Sequence, residues 1–202
     1  MTHDTRPEVL RTDVSGMPLE WIDYQQATKL ICLEQVSYAL GPVLYRIHGG
    51  LCARTGLQSF VDVNAIIATH GTNPELAGHH ARYTPPLSNF ALFRRDHNVC
   101  LYCGSQFHTH QLSRDHVRPL SQGGADVWSN VVSACKSCNN FKGGRTPEQS
   151  GLQLLAIPFA PTHAEYVYLQ GKRILADQMD FLLAHFPRNS PLLKRVLAAK
   201  AA

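Results

Sequence analysis

The stretch "SRDHVRPLSQGG", residues 113–124, lies between "CLYC" at 100–103 and "CKSCNN" at 135–140. Two CxxC pairs enclosing an acid, a histidine and a glycine-rich bend form the most informative pattern in this chain of 202 residues. A tight CxxC turn aims two sulfurs at one centre. Two such turns complete a tetrahedral four-sulfur set of the kind zinc takes. Cys100, Cys103, Cys135 and Cys138 are therefore assigned to a structural zinc, since four sulfurs leave no coordination position for water. The 31 residues between Cys103 and Cys135 exceed the gap of a simple zinc ribbon, so something must fold inside the loop that the metal closes.

Inside that loop "LSRDHV" alternates as a strand does, "PLSQGGADVW" is a wide turn, and "SNVVSA" is a second strand. "CKSCNNFKGG" then starts a short helix that stops at Gly143-Gly144. The result is a ββα unit pinned at its ends by zinc.

Upstream, "EVLRTDV" (8–14) and "LEWID" (19–23) read as strands around an "SGMP" turn. From Asp23 to Leu40 the apolar spacing is near-helical, with Asp23 as cap and Gly41-Pro42 as stop. Residues 42–68 contain β-branched runs broken at Gly49-Gly50 and Thr55-Gly56, which predicts two or three short antiparallel strands. Residues 69–88 are rich in Pro, Gly, His and Thr and read as an irregular connection, in which His79-His80 is solvated. Downstream, 151–161 reads as an extended linker. Residues 162–186 read as one helix with a Thr162/Glu165 capping box and Pro187 as its end. A last short helix starts at Ser190-Pro191. Three regions follow: 1–88, 89–152 and 153–202.

Formal net charge is +4 and the pI is near 8.8, a weak bias toward a polyanionic partner. The charge is concentrated. Between Arg94 and Arg145 stand seven Lys/Arg and three Asp, a difference of +4, so the flanks sum to zero. Arg94, Arg95, Arg114, Arg118, Lys136, Lys142 and Arg145 are the candidate phosphate contacts of a nucleic-acid site. No apolar run reaches the ~20 residues that span a bilayer. "MTHDTRPEVL" has no apolar leader core, so the thiols are expected to be reduced, in the cytoplasm. Cys32 and Cys52 stand alone in apolar surroundings and read as small buried hydrophobes.

The stretch "RRDHNVCLYCG…LSRDHVRPLSQGGADVWSNVVSACKSCNNFKGGRTPEQSGL", about sixty residues from 94 to 152, resembles the HNH nucleases. These are the ββα-metal, or His-Me finger, endonucleases, and the likeness is to the branch stabilised by a four-cysteine zinc. CxxCG, DHVxP, GG, W-S-N, CxxCN and KGGRTP occur in the family's order. The resemblance implies an α+β fold: a central HNH module with its zinc, a small antiparallel strand/helix region before it and C-terminal helices after it. It implies His116 as general base and Asp115 as a metal ligand. It implies Asn139 as the second ligand, where many relatives carry His. Asp and Asn oxygens favour Mg²⁺ or Mn²⁺. Asn130 falls on the family's middle Asn, a support for the turn and for the backbone carbonyl that holds the His116 ring. Asn140 lies about 100° around the helix from Asn139 and faces elsewhere. His97, His108 and His110 read as loop or phosphate contacts, because four sulfurs already supply the zinc.

The function so implied is hydrolysis of DNA phosphodiester bonds by a metal-dependent endonuclease. Two alternatives remain: an RNA-cleaving nuclease with the same site, and a zinc module that binds nucleic acid without cutting it. The 162–186 helix packs into the core or, as the alternative, supports a homodimer.

Overall fold

The structure, a computed structural model, describes residues 6–70 and 84–201. In chain order the elements are β1 (Val9–Asp13), β2 (Pro18–Ile22), α1 (Tyr24–Cys32), β3 (Val36–Leu51), β4 (Gln58–Thr69) and α2 (Asn89–Arg95). Then follow β5 (Leu112–His116), β6 (Val131–Cys135), α3 (Lys136–Lys142), α4 (Pro147–Ser150), α5 (His163–Gln170), α6 (Ala176–Ala184) and α7 (Pro191–Ala201). The fold is α+β. No helix of the described residues is long and apolar enough to cross a membrane. His79-His80 and most of the 69–88 connection lie outside the described residues.

Two compact units make up the chain. One is residues 84–162; the other joins 1–83 with 163–202. Where the sequence divides into three regions, the C-terminal helices thus share a unit with the N-terminal sheet. The reason is visible in that unit's hydrogen bonds. Trp21 Nε1 donates to Val167 O (2.7 Å), and the buried Gln178 Nε2 donates to Glu8 O (2.8 Å) and Ala65 O (2.9 Å).

The sheet of this unit has the order β2-β1-β4-β3. β1 pairs antiparallel with β2 but parallel with β4, so the sheet is mixed and not purely antiparallel. Asp13 closes the first hairpin by accepting from Ser15 N, Ser15 Oγ and Met17 N. One sheet face buries Val9, Ile22, Val63 and Ile67, with Ala27, Leu30 and Ile31 of α1 packed against them.

Four sequence expectations are corrected here. The helix from Asp23 ends at Cys32, not at Leu40. Asp23 caps the start as expected, and Gln26 completes a capping box with it, but Glu34 turns left-handed (φ 55°) and Gln35 N closes on Leu30 O. From Val36 the chain then pairs with β4, and that pairing overrides the helical spacing. Residues 42–68 hold two antiparallel strands, as expected, but these are long: they form one hairpin that turns near Thr55-Gly56 and runs unbroken through Gly49-Gly50. Gly41-Pro42 sits at a register shift between Leu40 and Val43 on the outermost strand, where a missing N–H is tolerated. The 162–186 helix is broken into α5 and α6 at Gly171, where a Cβ would meet Trp21 Cζ2 at 2.8 Å and Ile174 Cγ1 at 2.7 Å. Pro187 and Ser190 end and restart the helices as expected, with Ser190 Oγ accepting from Leu192 N and Leu193 N while it donates to the buried Glu165. Cys32 and Cys52 are both exposed, one at the end of α1 and one at the β3–β4 turn, so neither is a core residue.

The second unit is the loop between the two CxxC pairs and its brace. β5 and β6 pair antiparallel from Leu112↔Cys135 to His116↔Val131, and α3 leaves β6 directly. α2, capped by Ser88, delivers a fully buried Arg95. Its guanidinium takes both oxygens of Asp96 (2.9 and 3.1 Å) and donates to the carbonyls of Trp128, Phe159 and Val131. Asp96 also accepts from Ser133 N on β6 (2.8 Å). Residues 151–162 carry no regular element, yet Leu152, Leu154 and Ala156 pack on the core of Leu101, Tyr102, Val132 and Ala134.

Candidate active site

The two CxxC turns are built by their own backbone. Gly104 is left-handed (φ 74°) and donates to Cys100 O (2.9 Å), and Cys138 N points at Cys135 Sγ (3.4 Å). The four sulfurs of Cys100, Cys103, Cys135 and Cys138 all lie within 4.8 Å of one another. Four sulfurs around zinc at 2.3 Å stand about 3.8 Å apart. The donor set therefore fits a tetrahedral zinc. Among the described residues no other group of three or more His, Cys, Asp and Glu gathers this way. The Cys103 thiol titrates at about 7. Burial opposes its thiolate, but hydrogen bonds from Ser105 and from the neighbouring thiols outweigh burial. Burial pushes the Cys100 and Cys138 thiols up, so zinc binding must release their protons.

β5 separates two polar networks by its pleat. Ser113 and Asp115 face α3. Ser113 Oγ accepts from Asn139 Nδ2 (2.8 Å), and Asp115 Oδ1 accepts from Lys142 Nζ (3.0 Å). Asn139 and Lys142 stand three apart on α3 and so share a face. Asn139 and Asp115 therefore line one β5–α3 seam, whereas Asn140 is exposed. Asp115 is 5% exposed, and its second oxygen accepts from Tyr102 OH (2.5 Å). Burial, and then Asp115 itself, push the Tyr102 phenol far up, so it remains a donor. Arg114 and His116 face the other way, and both reach Asp126. Arg114 Nη1 lies 2.7 Å from Asp126 Oδ2, and His116 Nε2 lies 2.8 Å from Asp126 Oδ1. The Arg114 guanidinium, helped by His116, holds the Asp126 carboxyl below the ordinary carboxylate range.

Residues 100–155 match the family model of the HNH endonucleases. The central unit carries an HNH endonuclease module. A search of curated proteins finds no match for the chain.

Within the HNH module, Asn130 braces the turn. Its Oδ1 accepts from Arg118 N (2.9 Å), and its Nδ2 donates to Arg118 O (3.0 Å) and Ala125 O (2.8 Å). The His116 ring is held by the Asp126 carboxylate and not by a backbone carbonyl, which corrects the expectation from sequence. Arg95 and Lys142 are also corrected. At 0% and 1% exposure, and with their charges taken up inside the module, they are not surface phosphate contacts. Arg118, Lys136 and Arg145 are exposed. Arg94 is half-buried with its guanidinium over the Phe90 ring, and Arg114 is engaged by Asn89 and Asp126. His108 and His110 are exposed, with rings stacked 5.7 Å apart.

Sequence reasoning passed over Tyr102, Ser113 and Asp126. A signal existed for Asp126: it and Asp115 are the only acids between Cys103 and Cys135. Tyr102 was hidden inside the first CxxC, where it reads as filler.

Proposed function

We propose that this protein is an endonuclease that hydrolyses DNA phosphodiester bonds with the help of one divalent cation. The observation that carries the reading is the His116 imidazole, 19% exposed at the end of β5, with one nitrogen anchored 2.8 Å from a carboxylate. A histidine held by one nitrogen keeps the other for a proton, which is the arrangement a general base needs. His116 takes a proton from water, the water oxygen bonds to phosphorus, and the P–O3′ bond breaks.

Asp115 and Asn139, across their shared seam, are the oxygen donors for Mg²⁺ or Mn²⁺. When bound, such a cation neutralises the scissile phosphate and stabilises the departing oxygen. The seam already holds a positive charge: Lys142 Nζ sits 3.0 Å from Asp115 Oδ1 and 2.7 Å from His116 O. The donor set thus suits a hard cation, and the Lys142 ammonium is its competitor. Arg94, Arg114, Arg118, Lys136 and Arg145 supply the phosphate contacts, which orient the backbone without reading sequence. Zinc at the four cysteines holds β5, β6 and α3 in register and takes no part in the chemistry.

The test is incubation of end-labelled DNA and RNA with Mg²⁺ or Mn²⁺. Cleavage of DNA in preference to RNA supports the reading. Cleavage of RNA alone supports the ribonuclease, and salt-sensitive binding without cleavage supports the non-catalytic module.

A further inference from the structure

The wide turn of the HNH module brings one acidic side chain back onto β5. Asn130 Nδ2 holds the turn at Ala125 O (2.8 Å). Gly124 packs so tightly that a Cβ there would stand 1.9 Å from Arg118 O. Asp126 is thereby set against His116, gripped on its other oxygen by Arg114, whose Nε is itself held by Asn89 Oδ1 (2.9 Å). The four side chains form a line: Asn89, Arg114, Asp126, His116.

A neutral imidazole carries its proton on one nitrogen only, and the partner of that nitrogen decides which. An ionised carboxylate accepts and cannot donate. The Arg114 guanidinium keeps Asp126 ionised, so the proton facing it must be on Nε2. We propose that Asp126 is the positioning residue of His116, fixing the Nε2–H tautomer and the ring plane so that the Nδ1 lone pair faces the attacking water. The proposal rests on the nuclease reading of His116. In the step it serves, a water proton passes to Nδ1, the water oxygen bonds to phosphorus, and the P–O3′ bond breaks. The departing oxygen takes a proton from solvent. Lys142 meets His116 only at its main-chain oxygen, and Asp115 faces the other side of the strand, so Asp126 is the charged side chain on the ring.

The test uses the zinc-loaded full chain labelled with ¹⁵N, recorded over a pH series so that the spectra of the neutral ring are identified directly. Long-range ¹H–¹⁵N spectra assign the His116 ring by comparison with His116→Gln. The expected result is an Nε2–H ring in the wild type that loses this fixed tautomer in Asp126→Asn. In parallel, kcat falls about 10–100-fold with KM nearly unchanged, and Asp126→Glu recovers part of the loss. Asp126 is half exposed, so the variants fold, and their zinc content checks this. A wild-type ring protonated on Nδ1, or an Asp126→Asn protein with unaltered tautomer or unaltered kcat, overturns the proposal. If the wild type cleaves no nucleic acid, the nuclease reading falls, and the tautomer spectra alone still decide whether Asp126 fixes the ring.

Discussion

Lys142 Nζ bridges Asp115 Oδ1 and His116 O, 3.0 and 2.7 Å away, inside a seam that leaves the Lys142 and Asp115 side chains nearly inaccessible. This ammonium stands between a carboxylate and a carbonyl oxygen, where a divalent cation would also be attracted. Lys142→Met removes it and strands the Asp115 charge. Loss of one partner of a buried pair costs about 3–5 kcal/mol. Urea unfolding without added metal should show that loss, and Mn²⁺ should restore part of it by occupying the vacated position. Unchanged stability, or a loss that Mn²⁺ does not touch, contradicts this account of the seam.

Tyr102 predicts an alkaline limb. Its folded-state pKa is raised, first by burial and then by Asp115, so its contribution is fully present below the unfolded value near 10. As pH rises beyond that value the unfolded chain sheds the proton and the folded chain keeps it. Stability therefore falls by up to about 1.4 kcal/mol per pH unit. Tyr102→Phe should be less stable at neutral pH, through its lost hydrogen bond to Asp115, and should show a flatter decline above pH ~10. An identical alkaline decline in both proteins would count against a buried, neutral Tyr102.

Arg95 predicts a structural phenotype where its sequence context suggested a phosphate contact. It joins α2 to β6, to Trp128 and to the stretch after α4 through hydrogen bonds to the carbonyls of Val131, Trp128 and Phe159, and it also pairs with Asp96. Arg95→Met leaves Asp96 buried and three carbonyls without their donor, and the melting temperature should drop sharply. Lys cannot reproduce the fork, so Arg95→Lys should also destabilise. A normal melt with weakened DNA binding would restore the surface reading.

The sulfur site predicts its own stoichiometry. Purified protein should hold one zinc, released together with loss of the β5–β6–α3 fold on strong chelation, because metal binding and folding are linked in small metal-closed units. Cys135→Ser should lose both zinc and soluble expression. Full secondary structure in zinc-free protein contradicts a structural role.

The most local features were the most legible in sequence. The CxxC pairs specify the sulfur cluster by spacing alone, and Asp23 with Gln26 specify a helix start within four residues. The ββα order was readable because turn, strand and cap signals each lie within a few residues of what they control. What was missed depends on partners distant in sequence. Val36 becomes a strand because β4 lies beside it, and at Gly171, where α5 has ended, Trp21 and Ile174 leave no room for a Cβ. Burial of Arg95 and Lys142 could not be read from charge, because the carbonyls around Arg95 and the Asp115 carboxylate beside Lys142 come from other elements. Asp126 entered the sequence reading only as a negative charge, since its pairing with His116 depends on a ten-residue turn folding back.

As the proposed base of a metal-dependent nuclease, His116 must be needed for cleavage. Supercoiled plasmid incubated with the zinc-loaded protein tests it most directly, with Mg²⁺ or Mn²⁺ supplied in one arm and withheld in the other. Wild type should convert the plasmid to nicked or linear forms only with the divalent cation, and folded, zinc-containing His116→Ala should leave it supercoiled. Intact plasmid with wild type under both ions, or equal conversion by His116→Ala, would contradict the account.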